Sequence, residues 1–212
     1  MKALLLKDYY MAIKYCKSQL LITLGFVVLS FLNEGNLFFL FYPCIFGGII
    51  PVNLLGYDEK SKWLQYSGTM PYTKAQIVSS KYLVGLIAQA LILILTGGAH
   101  AVRMIINNTF QLADFSILIL MLFILAAVTS SISLPFIFKL GVEKGRAAYY
   151  AMIILVCAFS GGATVLLESI DEGMLVNIQL HQILLFISAV GLALYALSWY
   201  LSIVFFKKRE IH

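Results

Sequence analysis

Charge is what this sequence has least of. Only 12% of its 212 residues are Asp, Glu, Lys or Arg, against 61% hydrophobic, and the mean hydropathy is +0.93. A soluble domain of this length needs far more charge to cover its surface, so the composition excludes one and reads as an integral membrane protein. Cysteine is scarce as well. Cys16, Cys44 and Cys157 have neither even pairing nor metal-ligand spacing, and read as small apolar side chains in or beside helices. No Gly-x-x-x-x-Gly-Lys-Ser/Thr phosphate loop occurs, which excludes nucleotide hydrolysis of that type on this chain. His-Glu-x-x-His and Gly-x-Ser-x-Gly are also absent, so the common intramembrane metal and serine chemistries have no motif here. The long apolar runs contain no Asp, Glu, Lys or Arg in their interiors. An ion-driven transporter usually needs such a group near the bilayer midplane, and its absence counts against that class.

What is present is a succession of apolar runs near the roughly 20 residues that a bilayer core requires. Six spans are expected, at about 16–33, 37–57, 80–102, 115–138, 147–167 and 182–206. The predicted fold is therefore all-α, one transmembrane domain over residues 1–212. Residues 1–17 precede the spans. Leu5, Tyr9, Ala12, Ile13 and Cys16 share one helical face, with Lys7, Lys14 and Ser18 roughly opposite. That pattern predicts an amphipathic helix on the membrane surface, with its lysines toward headgroups and water. Lys2, nearer the apolar face, would snorkel.

A net charge of +5 is compatible with nucleic acid, but its distribution points to topology. With six spans, all but one of the 15 basic residues fall on one side, in the N-terminal segment, the loops at 58–80 and 139–146, and the tail. Arg103 is the exception. This asymmetry predicts cytoplasmic termini and a cytoplasmic 58–80 loop, and it explains the charge without nucleic acid. The opposite side holds Glu34, Asp114, Glu168, Asp171 and Glu172, with its longest loop at 168–181. His100 and His181 fall near the outer span ends, where no special role is required of them. The Gly-Gly pairs (Gly47-Gly48, Gly97-Gly98, Gly161-Gly162) lie inside spans and read chiefly as sites of close helix packing. Pro43, Pro51 and Pro135 read as kinks or locally freed carbonyls.

The longest polar interval is Gly56 to Lys74. Asp58 and Glu59 read as the first turn of a short helix, with Lys62 four residues after Asp58. Glu59, Trp63 and Tyr66 would share a face of it. Gly68 would end it, Pro71 would impose an extended residue, and Thr73 with Gln76 has capping-box spacing before the next span. Trp and Tyr beside paired charges are the anchors that a protein interface favours. The competing reading places the two aromatics in an interfacial belt.

Together, the N-terminal amphipathic helix, the six spans and the acidic-aromatic loop resemble the membrane subunits of ABC-2 type exporters. The stretch Tyr57-Asp58-Glu59-Lys60-Ser61-Lys62-Trp63 through Tyr66, Thr69-Met70-Pro71, Ile77-Val78 and Lys81-Tyr82-Leu83 resembles a small bacterial branch. That branch exports phenol-soluble-modulin-like or antimicrobial peptides. The resemblance implies a permease of the bacterial cytoplasmic membrane, without catalytic residues, metal or cofactor of its own. ATP and Mg would be handled by a separate cytoplasmic subunit. Asp58, Glu59, Lys62, Trp63 and Tyr66 would be the coupling helix docked on that subunit, and Pro71 and Thr73 would shape the return. It also implies two permease copies, identical or paralogous, with peptide cargo passing between them. Spans two and five, which combine Gly47, Gly48, Gly161, Gly162 and Ala163 with aromatics, are the expected lining. The alternatives are a non-transporting scaffold or immunity protein that binds peptides, and a secondary transporter.

Overall fold

A computed structural model describes residues 2–32, 38–67, 69–147, 149–151, 154 and 177–208. All regular structure among them is helical: α1 Lys2–Tyr15, α2 Lys17–Leu32, α3 Phe38–Lys60, α4 Trp63–Ser67, α5 Lys74–Ile106, α6 Leu112–Leu140 and α7 Asn177–Lys208. Residues 142–147 add a short helical stretch.

The spans expected second, third, fourth and sixth are α3, α5, α6 and α7, each long and apolar enough to cross a membrane. α5 has 33 residues, roughly 50 Å at 1.5 Å per residue, and so overruns a bilayer core. α2, at 16 residues, is the shortest of the expected spans among the described residues. α1 and α2 meet at a 71° bend, and counted as one bent span the pair brings the total to five. The bend separates a lysine-bearing helix from an apolar one. The expected fifth span, at about 147–167, lies largely outside the described residues, as does most of the 168–181 loop.

α6 and α7 are parallel neighbours. Ala127 lies against Gly191, Ser198 Oγ donates to the Ser131 carbonyl at 2.6 Å, and the Phe138 and Phe206 rings sit 5.4 Å apart. Both helices end at the same lysine-rich end of the bundle, where Lys74 Nζ reaches the Lys207 carbonyl of α7 at 3.3 Å. A lysine there satisfies a terminal carbonyl and complements the helix dipole. At the far end Arg103 does the same for α2, donating to the Ser30 carbonyl at 3.0 Å. The core toward the lysine-rich end joins Val52, Ile77, Tyr82, Leu134, Tyr195 and Phe206 from α3, α5, α6 and α7. Within it Tyr82 Oη meets Ser198 at 2.8 Å and Ser202 at 2.6 Å, polar groups satisfied between helices rather than left bare.

Gly47 and Gly48 hold α3 against its neighbours. A Cβ on Gly47 would come within 2.6 Å of Ile92 Cδ1 on α5, and one on Gly48 within 2.5 Å of Thr129 Cγ2 on α6. Both positions are buried inside one chain. These contacts are what close helix packing, the chief sequence reading of the pair, requires. Pro43 and Pro51 sit inside α3 and remove two of its backbone donors. Neighbouring side chains add donors in that weakened stretch. Tyr149 Oη donates to the Ile45 carbonyl at 2.6 Å, and Gln19 Nε2 to that of Phe46 at 2.7 Å.

Candidate functional site

The polar interval folds differently from its expected single docking helix. α3 runs on through Asp58 and Glu59 to Lys60. Lys62 then takes a positive φ of 53°, and the five-residue α4 starts at Trp63. The left-handed residue breaks the helix, so Glu59, Trp63 and Tyr66 do not share one helical face, and Asp58 and Lys62 do not pair four residues apart. The acids also stand in a last turn, not a first one. That is the unfavourable end of the helix dipole for a carboxylate, and each acid finds positive compensation elsewhere.

Asp58 is fully buried. Its Oδ1 accepts from Lys7 Nζ at 2.7 Å, and Lys81 Nζ lies 2.6 Å from Oδ2, an ion pair outside hydrogen-bond alignment. Lys81 Nζ also donates to Asp8 Oδ1 at 2.6 Å, and Ser80 Oγ to Asp8 Oδ2 at 3.2 Å. Lys7 and Asp8 approach to 3.5 Å. Two lysines and two aspartates thus form an electrically balanced cluster tying α1, the end of α3 and the start of α5. The arrangement fits the cost of burying charge, which is tolerable only when partners and hydrogen bonds are supplied. Burial pulls the Lys7 ammonium below the usual lysine range, the Lys81 charge adds to this, and Asp58 opposes both.

Glu59 is held differently. Its Oε2 accepts the Val142 backbone N–H at 3.1 Å, where residues 142–147 turn into helix. Gly141, at φ 89°, makes the abrupt turn out of α6 that brings this amide into place. The α3–α6 junction is therefore stapled beside the charge cluster.

Trp63 is half-buried against the core, and Lys7 Nζ stands 3.3 Å over its ring. Tyr15 of α1 stacks on Tyr57 of α3 at 4.5 Å. Outward from this base the loop presents Lys62, Tyr66, Pro71 and Thr73, all exposed, Tyr66 by 62%. The expected capping box is present. Thr73 Oγ1 accepts the Gln76 N–H at 3.3 Å, and Gln76 Oε1 accepts the Thr73 N–H at 3.1 Å. Gly161, Gly162 and Ala163 lie outside the described residues.

Sequence reasoning missed the cluster. It put Lys7 toward headgroups, counted Lys81 only as a basic loop residue and assigned nothing to Asp8. The available signal was Asp8 itself, the one acid before Glu34. An acid alone on a lysine-bearing helix asks for a partner.

The profile of one known family, described as ABC-2 family transporter protein, matches residues 3–207. No curated protein and no solved structure matches the chain.

Proposed function

Because the chain belongs to the ABC-2 family of transporter proteins, we propose that it is the permease subunit of an ATP-driven exporter whose 62–73 loop docks a separate ATP-binding subunit. The family is a membrane transport component, and it generally partners with such a subunit. The observation that carries the docking reading is the contrast across the loop. Asp58, Glu59 and Trp63 anchor it inward, while Lys62, Tyr66, Pro71 and Thr73 face out. A rigid base under an exposed aromatic is how interface anchors are built.

On this reading the lysine-rich end is cytoplasmic, in a bacterial plasma membrane, with both termini on that side. Six spans belong to the same proposal: α6 and α7 run parallel, a pairing that needs a return crossing, and hydropathy puts it at about 147–167. Nucleotide-driven closure of two ATP-binding subunits, with their ATP and Mg, pushes the loops of two permease copies. The long helices rooted beside each loop carry the push to the interface between copies. An amphipathic or hydrophobic peptide suits a path through an apolar molecule of this kind. Tyr66→Ala tests the docking: the ATP-binding subunit is expected to bind about 2 kcal/mol more weakly in a titration of purified proteins. Unchanged affinity would instead assign Tyr66 to the lipid interface.

A further inference from the structure

We propose that Lys7 of α1 is the positioning residue of the docking loop, its ammonium fixing Trp63 and Asp58 together. The inference deepens the docking reading and rests on it. One cation serves both groups: Nζ is 2.7 Å from Asp58 Oδ1 and 3.3 Å over the Trp63 ring. These two residues bracket the left-handed turn at Lys62, so the contact spans the break between α3 and α4. α4 has only five residues, too few to hold a helix by its own hydrogen bonds, so its orientation is set by what Trp63 touches. Trp63 packs against the core that gathers α3, α5, α6 and α7, and Lys7 adds the tie to α1.

The two lysines of the cluster have different work. Lys81 is 1% exposed and bridges both aspartates, so it balances the buried charge. The Lys7 side chain is 25% exposed and makes the ring contact, so water can reach the site it leaves if removed. Lys7 is therefore the member whose loss moves the loop more than it harms the fold. Because Asp8 is its chain neighbour and binds Lys81, a shift of α1 moves the root of α5 and the seat of Trp63 together.

The chain has two tryptophans, which makes a direct readout available. Trp199→Phe keeps a ring against Tyr82 and leaves Trp63 as sole reporter. In that background, with the full chain purified, Lys7→Met is expected to raise iodide quenching of Trp63 and to weaken binding of the ATP-binding subunit about tenfold. Lys7→Arg, which keeps the charge and stacks on an indole, is expected to restore both to within about twofold. Unchanged Trp63 quenching in a folded Lys7→Met protein would overturn the proposal. So would equal loss in the Met and Arg variants. Should Lys7→Met fail to fold, Trp63→Phe and Trp63→Leu replace it with Lys7 intact. Phe keeps a ring face for the ammonium and is expected to retain binding that Leu loses; equal behaviour of the two would overturn the proposal. Failure of the docking reading looks different: Tyr66→Ala and Lys7→Met would both leave subunit binding intact while Trp63 quenching still rises in Lys7→Met.

Discussion

At the scale of single residues, the weight of the structure rests on four charges in contact at one end of an apolar bundle. Lys81 sits between two carboxylates with essentially no exposure. Truncating it leaves Asp8 and Asp58 with the single charge of Lys7 between them, one buried negative charge uncompensated, so Lys81→Met is expected to cost about 3–5 kcal/mol in a denaturation experiment on purified protein. Removing its partner as well should recover most of that loss. Lys81→Met with Asp8→Leu leaves the Lys7–Asp58 pair intact, and is expected to come within about 1–2 kcal/mol of the parent. A double variant no better than the single would mean that the cluster's hydrogen bonds, not its charge balance, hold the joint. This scale was the least legible beforehand. Periodicity assigns a residue to a face, and charge counting assigns a loop to a side. Neither says that Lys7, Asp58 and Lys81, far apart along the chain, converge on one point.

Four expected spans coincide with helices among the described residues, their starts displaced by up to six residues, for a physical reason. A helix in a membrane must bury its backbone polar groups in its own hydrogen bonds, so hydropathy and helix length coincide. The Thr73–Gln76 cap was likewise readable, because a capping box is a local arrangement. The end of α3 was not. Nothing local marks Lys62 as left-handed, since Lys has no special tolerance for that conformation, and Asp58 and Glu59 resemble a helix start until their distant partners are known. This yields a test of the element itself: Lys62→Val is expected to destabilise by about 1–2 kcal/mol, because a β-branched side chain tolerates a positive φ poorly. Thermal unfolding of the two proteins measures it. On α3, Gly48→Leu is expected to cost about 1–3 kcal/mol by forcing Thr129 of α6 aside. A neutral result would show that α3 can move away from α6 freely.

For the whole molecule, topology and chemistry divide the work. The chain contributes apolar helices, a balanced joint and an exposed loop; on the proposed reading, fuel is consumed on another chain. The family was legible from the layout of apolar runs together with the polar stretch from Tyr57 to Leu83. Pairing inside the bundle was not, since lipid-facing and protein-facing apolar residues look alike in a sequence: Leu122 is buried and Leu192 is exposed, with the same side chain. The most direct test of the central claim is photo-crosslinking from a reactive side chain at Tyr66, in membranes containing the ATP-binding subunit. The account predicts a covalent product with that subunit, lost when Trp63→Ala is added. Crosslinks to lipid alone, with the subunit present and active, would contradict it.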